Sequence, residues 1–265
     1  LVSFRITILV FYLICNWKLF EKAGKEKLRR LLSLTRKAVQ DYDLIKDGDK
    51  VCVGVSGGKD SLALLTTLAN LRRFYPKHFE LQAVTISLGF EGMDFSAVRN
   101  YCEGLEVPYK VVESDIAEIV FDIRKEQNPC ALCANLRRGA LNDHAGRLGC
   151  NVVALGHHKD DVIETALLSL FYEGRFYCFS PDTWLERAQV RVIRPYLYVE
   201  ESDIRQFAKA VDVPVVHNPC PMDRAGSRAE IKELIRNLEK DNKFLRSNIF
   251  GAVKRDIWDK EAQNR

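Results

Sequence analysis

The sequence predicts a doubly wound α/β fold, in which helices cover both faces of a parallel sheet and further helices extend the two ends. Two observations predict this class. From residue 49 onward, short runs of β-forming residues alternate with segments of helical periodicity, which is typical of a parallel sheet. The first run, VCVGV, is followed by SGGKDS and by the amphipathic stretch LALLTTLANLRRF. A strand, a glycine turn and a helix in this order open such a sheet.

The elements are predicted in the following order. Helical spacing of apolar residues predicts an amphipathic helix over about residues 21–43. Strands are expected at LQAVTISLG, YKVVES and NVVALG, with helices over FSAVRNYCEGL, over 116–148 with an interruption at 128–130, and over about 160–172. GRFYCFSPDTWLERAQ is expected to be irregular, and VRVIRPYLYV and the helix ESDIRQFAKAV follow it. The last part should contain a strand at VPVV, a cysteine-bearing loop and a long charged helix.

The composition is that of a folded globular chain. The 265 residues are 47% hydrophobic and 29% charged, with a formal net charge of +4, and a chain of this length can bury a large core. Basic residues are grouped at 22–30, 72–78 and 136–138, which permits contact with nucleic-acid phosphates without requiring it. The eight cysteines are sparse and lie mostly in apolar stretches. They therefore favour a reducing, cytoplasmic location over a disulfide scaffold.

The N-terminal segment ITILVFYLIC, residues 6–15, is an apolar run of ten. It is about half as long as the ~20 residues that a membrane-spanning helix needs. No small-residue cleavage site follows it, so a signal peptide is not favoured and no stable membrane insertion is expected. Because the chain begins with Leu rather than Met, we expect a misplaced start or a fragment.

The stretch SGGKDS, residues 56–61, predicts a phosphate-binding loop, called the phosphate loop below. Its glycines allow a tight turn, and its amides precede a helix whose dipole favours an anion. The spacing is that of neither the P-loop ATPases nor the dinucleotide-binding fold. The alternative is an ordinary turn in which Ser56 or Ser61 caps the helix.

A second polar stretch, GHHKDDVIET (156–165), follows a predicted strand. It should therefore lie at the same carboxyl edge of the sheet as the phosphate loop, where ligands of such folds bind. Helix capping by Asp160 or Asp161 is the alternative explanation of this stretch.

The stretch NPCALCANLRRG (128–139) raises the question of what Cys130 and Cys133 hold. A redox dithiol is disfavoured because the pair lies deep inside a nucleotide-binding domain. A structural zinc site needs four ligands; no second C-x-x-C exists, but His217 and Cys220 would complete a Cys₃His site, so zinc stays open. With Cys220 alone, three thiolates would hold a 4Fe-4S cluster and leave one iron open to sulfide. For Cys220 by itself, an unpaired thiol in a loop is the plain alternative.

Together, SGGKDS, PCALCANLRRG, GHHKDDVIET, LFYEG and VIRPYLYVEESDI resemble the tRNA 2-thiocytidine synthetases. These are ATP-dependent sulfurtransferases of the PP-loop ATP pyrophosphatase superfamily, and the likeness covers roughly residues 25–245. The resemblance implies a Rossmann-like fold of the adenine nucleotide alpha hydrolase type. It also implies adenylation of a cytidine O2 by MgATP, with cytidine 32 of tRNA expected, followed by replacement of that oxygen by sulfur and loss of AMP. Besides tRNA, the implied partners are a sulfur donor (a cysteine desulfurase or sulfide) and a second copy of the chain, as a homodimer.

The same resemblance implies roles for individual residues of the nucleotide site. Lys59, Asp60 and Asp161 would be catalytic; Lys59 would neutralise phosphate charge, and Asp60 would help to position Mg²⁺. Apart from the resemblance, Arg137 and Arg138, one helical turn past the cysteines, are candidates for contact with the AMP phosphate or the tRNA backbone, and a solvated helix face is the alternative. The implied ATP-binding residues are Val55, Ser56, Gly57, Gly58, Lys59, Asp60, Ser61, Arg137, Gly156, His157 and Asp161.

For the cysteines, the resemblance implies that Cys130, Cys133 and Cys220 ligate the 4Fe-4S cluster. Members often carry a further cysteine three residues later, where this chain has Asp223. Three segments are predicted: an N-terminal apolar segment and helix (1–48), the ATP-binding domain (49–205), and a C-terminal segment with the third cluster cysteine (206–265). A uridine thiolase, a lysidine-type ligase and a non-catalytic ATP-binding module with structural zinc are the alternatives.

Overall fold

One six-stranded sheet organises the computed structural model, which describes residues 23–125, 129–217, 219–220 and 227–263. The strands are β1 Asp49–Gly54, β2 Phe79–Ile86, β3 Tyr109–Val112, β4 Val152–Ala154, β5 Asp182–Leu185 and β6 Val190–Ile193. Across the sheet they stand in the order β3-β2-β1-β4-β6-β5. All neighbouring pairs are parallel except β5 and β6, which pair antiparallel. The predicted α/β class is confirmed, with one antiparallel strand added at an edge.

Helices connect the strands and extend the chain beyond the sheet. They are α1 (23–41), α2 Lys59–Leu71, α3 Ser96–Gly104, α4 Ile116–Glu118, α5 Pro129–Arg147, α6 Lys159–Glu173, α7 Glu201–Ala210, α8 Ser227–Leu238, α9 Leu245–Val253 and α10 Asp259–Gln263. The helices α4 and α9 continue as π-helical turns over Ile119–Arg124 and Lys254–Trp258. Helices α8 and α9 contact α6.

The alternating side chains of the central strands pack into two separate cores. In β1, Val51 and Val53 join the core that contains residues of α1, α2, α3 and α7, whereas Cys52 joins the core formed with α4 and α5. In β4, Val152 and Val153 divide between the two cores in the same way. This is the period of two expected for a sheet buried on both faces. The sheet is therefore doubly wound, as predicted.

Helix α2 fixes the geometry of the residues that precede it. Ten of its thirteen residues are buried, including the fully buried Leu62, Leu65 and Leu68. Each fully buried leucine contributes about 2 kcal/mol, so the helix is held firmly against the sheet. Its N-terminus consequently stands at the carboxyl end of β1.

The carboxyl ends of β1 and β4 form the switch point of the sheet. These two strands are neighbours in the sheet. The strand on the other side of β1 is β2, and the strand on the other side of β4 is β6. Such a point opens a crevice between the two loops that leave the strands. The phosphate loop and the GHHKDD loop are those two loops.

Two predictions of local structure were wrong. The stretch VPVV, residues 213–216, forms no strand; Val215 N–H donates to Val213 C=O at 2.8 Å, and Val216 N–H donates to Gly57 C=O at 2.9 Å. Its amides thus bond outside any ladder, and Pro214 has no N–H to offer. Conversely, the stretch expected to be irregular contains β5.

Other predictions lie partly outside the described residues. These are the apolar run at 6–15, residue 128 of the interruption at 128–130, and Asp223; residues 129 and 130 open α5. The division at residues 48 and 205 stays a prediction. In the described parts of the chain, no helix has the length and apolar character needed to cross a membrane.

Candidate functional site

The phosphate loop holds its own shape through bonds within the loop. Gly57 has φ +79°, a conformation that favours glycine. The Ser61 hydroxyl donates to Gly58 C=O at 2.9 Å and accepts from Ser56 N–H at 3.1 Å. Gly58 is the N-cap of α2 and no side chain caps the helix there. The structure therefore contradicts the capping alternative for Ser56 and Ser61, and the uncapped amides suit an anion.

The GHHKDD loop touches the phosphate loop where Gly156 meets the first turn of α2. A Cβ atom at Gly156 would stand 3.2 Å from the Asp60 carbonyl carbon and 3.3 Å from Ser61 N. Because both atoms belong to the backbone, neither can move aside cheaply. Glycine at 156 thus permits the close approach that brings Asp60 and Gly156 together, as the sequence predicted for one sheet edge.

Lys59 is paired with carboxylates on two helices. Its Nζ lies 3.0 Å from Asp60 Oδ1 and 3.1 Å from Glu201 Oε1 at the start of α7. Burial lowers the pKa of Lys59, but the two carboxylates outweigh it, and the net pKa is raised. Burial likewise works against ionisation of Glu201, yet Lys59 lowers the pKa of Glu201 to about 2. Both groups are therefore charged at neutral pH.

The adjacent histidines of the GHHKDD loop have different surroundings. His158 is buried and is the N-cap of α6; its Nδ1 accepts from Asp161 N–H at 3.4 Å, while Asp161 Oδ2 accepts from His158 N–H at 3.0 Å. The ring of His157 packs on Phe179, with centroids 5.0 Å apart. Burial lowers the pKa of His157 to about 4, so it is neutral at pH 7.

The carboxylates of α6 are paired with basic residues of the C-terminal helices. Asp161 Oδ1 accepts from Arg228 Nη1 of α8 at 2.9 Å. Asp160 pairs with Arg246 of α9, and its Oδ2 accepts from Glu201 N–H at 2.7 Å. Asp160 thereby joins α6, α7 and α9. The capping alternative holds for Asp161, which caps α6 and also faces Arg228.

Glu164, one turn further along α6, is 2% exposed. Its Oε1 lies 3.6 Å from Lys232 Nζ and its Oε2 lies 3.8 Å from Arg228 Nη1, and Oε2 has no hydrogen-bond partner in the described structure. Burial raises the pKa of Glu164 to about 7.

The three predicted cluster cysteines, called the cysteine trio below, come from two separate segments. Cys130 and Cys133 lie in the first turn of α5, and Cys220 lies after the segment that contacts Gly57. None forms a disulfide. Burial raises the pKa of the Cys133 thiol; Arg137 lowers it, and the thiols of Cys220 and Cys130 raise it. Cys130 and Cys220 therefore lie close enough to Cys133 to affect its ionisation.

The cysteine trio does not form a preassembled metal site. Within the described ranges, no group of three or more His, Cys, Asp or Glu side chains is arranged to hold a metal ion. The structure thus places the trio in one neighbourhood without closing it into a ligand shell. Arg137 lies beside Cys133, and Arg138 donates to Asn135 Oδ1 at 2.5 Å.

An open cleft of about 490 Å³ is lined in part by the segment that precedes Cys220. It lies between the loop after β2 and residues 214–219. Its lining includes Glu91 and Asp94 on one side and Val216 and His217 on the other. Because Val216 bonds to Gly57, the cleft extends from the phosphate loop along the segment that leads to Cys220.

Several residues of the site were missed by the sequence analysis. They are His158, Glu164, Glu201, Arg228, Lys232 and Arg246. His158 and Glu164 belong to the quoted stretch GHHKDDVIET, and the N-cap position and the helical spacing from Asp161 could have indicated them. The others come from α7, α8 and α9, and tertiary packing alone brings them to the site.

A phosphate loop at the switch point of a parallel sheet, beside a loop rich in carboxylates, defines an α/β nucleotide-binding protein. Residues 25–238 match the family model described as a PP-loop domain. A tRNA-cytidine(32) 2-sulfurtransferase of Syntrophotalea carbinolica is 41% identical over 228 residues, 85% of this chain and 88% of that protein. The enzyme of the same name from Geobacter sulfurreducens is 37% identical over 230 residues, with 86% and 90% covered.

A solved structure agrees with this assignment. The U34-tRNA thiolase NcsA from Methanococcus maripaludis with its 4Fe-4S cluster superposes with a TM-score of 0.68 at 26% identity, covering 89% of this chain and 78% of that one. The chain belongs to the PP-loop domain family, among the tRNA-cytidine(32) 2-sulfurtransferases, and is therefore a transferase.

Proposed function

We propose that this protein adenylates O2 and thiolates C2 of cytidine 32 in tRNA, in the cytoplasm, using MgATP and a 4Fe-4S cluster. The relatives are named for this reaction. A pyrimidine carbonyl oxygen leaves poorly, so its replacement by sulfur needs activation as an AMP ester. The reaction therefore needs a nucleotide site and a sulfur-delivering site next to the same base.

One observation carries the proposal. Val216 N–H donates to Gly57 C=O at 2.9 Å, so the segment that leads to Cys220 is bonded directly to the phosphate loop. A Cβ atom at Gly57 would stand 2.9 Å from Val216 Cβ, and the two backbones touch. Activation and sulfur delivery would thus occur at adjoining parts of one sheet edge.

In the nucleotide half, the chain's own groups supply charge and backbone donors. The backbone amides at the N-terminus of α2, where no side chain caps the helix, would receive the pyrophosphate of ATP, with Ser56 and Ser61 shaping the turn. Lys59 would offset the charge that develops on the leaving pyrophosphate. Asp60 offers the carboxylate oxygens that Mg²⁺ prefers.

In the sulfur half, the donor set fits a 4Fe-4S cluster. Cys130, Cys133 and Cys220 form no disulfide, and each is exposed or half-buried rather than sealed in the core. Without a metal, neighbouring thiols oppose ionisation of Cys133, whereas bound iron would favour the thiolates. When bound, a cluster with three cysteine ligands supplies an iron that can take sulfide. The sulfur would come from a cysteine desulfurase or from sulfide.

The cleft beside Val216 is the proposed place of the target base. Its lining includes Val216, which bonds to Gly57, and Pro219, which precedes Cys220. The carboxylate of Glu91 could accept hydrogen bonds from an exocyclic amine, as carboxylates do from cytosine. The likeness to the U34-tRNA thiolase keeps thiolation of a uridine as a second candidate. A homodimer stays a prediction.

Mass spectrometry of tRNA nucleosides tests the proposal. Purified protein with MgATP, sulfide, an iron-loaded trio and unmodified tRNA should produce 2-thiocytidine, AMP and pyrophosphate in equal amounts. Formation of 2-thiouridine instead would favour the second candidate. Binding of ATP without tRNA-dependent pyrophosphate release would leave a nucleotide-binding module and overturn the proposal.

A further inference from the structure

The carboxylates around the phosphate loop are connected to α8 by a continuous series of ion pairs. Lys59 pairs with Glu201 at 3.1 Å, and Glu201 pairs with Lys232 at 3.4 Å. Lys232 lies 3.6 Å from Glu164, which lies 3.8 Å from Arg228. Helix α8 is thus joined to the nucleotide site by charge as well as by its buried Ile231 and Ile235.

Arg228 is the least committed of these basic residues. Its side chain is 48% exposed, and its hydrogen bond to Asp161 Oδ1, at 2.9 Å, is the only one among the described residues. Arg246, by comparison, is 28% exposed and is held by both Asp160 and Glu239. A guanidinium has five donors, so most of those of Arg228 are free to bind a further acceptor.

The partner of Arg228 is placed next to the phosphate loop. Asp161 Oδ2 lies 3.5 Å from His158 Nε2, and that nitrogen lies 3.9 Å from Asp60 Oδ1. Arg228 is therefore linked to Asp60 through two intervening residues, Asp161 and His158. A phosphate arriving at the loop would offer Arg228 two oxygens in the planar geometry that a guanidinium binds best.

We propose that Arg228 is a nucleotide-positioning residue that exchanges Asp161 for a phosphate oxygen when MgATP binds. Asp161, once released, presents its carboxylate to the Mg²⁺ that accompanies the nucleotide. Lys232 stays beside Glu164, so the buried carboxylate keeps a cation. The inference rests on the proposed function, because it requires ATP at the phosphate loop.

Calorimetric titration of the full chain with MgATP and with adenosine tests the exchange. Arg228→Ala should weaken MgATP binding roughly 10-fold to 100-fold, the range for a hydrogen bond to a charged group, and should leave adenosine binding unchanged. Arg228→Lys should recover part of the loss. Arg236→Ala, which removes an exposed charge from the same helix, should bind MgATP like the wild type.

Equal MgATP affinity of wild type and Arg228→Ala, with a lowered melting temperature, would overturn the exchange and make Arg228 a clamp between α8 and α6. If the wild type itself binds no MgATP, the proposed function fails and the inference with it.

A second measurement needs no variant. Phenylglyoxal labelling of the wild type, mapped by mass spectrometry, should show Arg228 protected by MgATP but not by adenosine, with Arg236 equally labelled throughout. Unchanged labelling of Arg228 with MgATP would contradict the proposal.

Discussion

The phosphate loop and the cysteine trio are two halves of one proposed site, but they are built differently. The loop is six consecutive residues, held by bonds among Ser56, Gly58 and Ser61 and fixed to a buried helix. The trio joins the start of α5 to a segment far along the chain, and burial together with the two neighbouring thiols raises the pKa of Cys133. Hydrogen bonds within the loop complete the phosphate loop, whereas the cysteine trio needs a bound metal group to be complete.

The largest effect should come from removing the phosphate-loop cation. Lys59→Ala should lower tRNA-dependent pyrophosphate release about 10³-fold or more, because a charge aimed at the developing anion is lost. Iron content after reconstitution should not change. Pyrophosphate release at the wild-type rate would remove the phosphate loop from the mechanism. Lys37→Ala on α1, whose pair with Asp41 lies far along the chain from the loop, is the matched control.

The next largest effect concerns the trio. Cys130→Ala should abolish iron binding in anaerobically reconstituted protein and remove its brown colour, because two thiolates cannot hold the cluster. Iron content and the visible absorption spectrum measure this. Cys102→Ala, at a buried core cysteine, should keep full iron content. A colourless wild-type protein with one equivalent of zinc would establish the zinc alternative instead.

A third change affects both halves at their point of contact. Gly57→Ala introduces a Cβ atom at φ +79°, 2.9 Å from Val216 Cβ, and should lower the free energy of unfolding by about 2 kcal/mol through strain and the clash. Denaturant unfolding measures the loss. Val216→Gly in the same chain removes the Cβ atom at 2.9 Å and should recover part of the loss; no recovery would mean that contact with Val216 is not the cause of the loss.

The last effect is electrostatic. Burial raises the pKa of Glu164 to about 7, whereas an unperturbed glutamate has a pKa of 4.5, so the folded state binds more protons between these values. The free energy of unfolding should therefore fall as pH rises through that window, by at most about 3 kcal/mol. Glu164→Gln should flatten this dependence. Glu233→Gln, at an exposed position of α8, should not; equal slopes in all three proteins would contradict the assignment.

The sequence predicted the central strands, whose apolar residues give a clear signal, and missed the edge strand β5. Central strands such as VCVGV carry buried residues on both faces, and this leaves a strong apolar signal. Strand β5, DTWL, is only partly buried; it is stabilised by its pairing with β6 and by the ion pair between Arg191 and Asp182. Both β6 and Arg191 come after β5 in the chain, so the residue pattern within DTWL does not reveal either partner. For VPVV the error was the opposite one: a strand was predicted and none forms, because Val216 N–H bonds to Gly57 C=O instead of to a neighbouring strand.

In the candidate site, too, residues defined by local sequence could be predicted, and residues brought in by tertiary packing could not. The consecutive residues of SGGKDS could be predicted, because a turn before a helix is a local property. Glu201, Arg228 and Lys232 could not, because tertiary packing of α7 and α8 brings them to the acidic loop. The stretch GHHKDD was recognised, but the different environments of His157 and His158 depend on the turn between β4 and α6. A role for His157 in binding ATP stays a prediction.

The central claim is that the phosphate loop activates the base independently of the trio. A single-turnover assay with metal-free Cys220→Ala, MgATP, sulfide and unmodified tRNA tests it most directly. The account predicts a burst of about one pyrophosphate per site with no 2-thiocytidine formed. Absence of the burst, with the wild type releasing pyrophosphate under the same conditions, would contradict the independence of the two halves, and so would any 2-thiocytidine made by the variant.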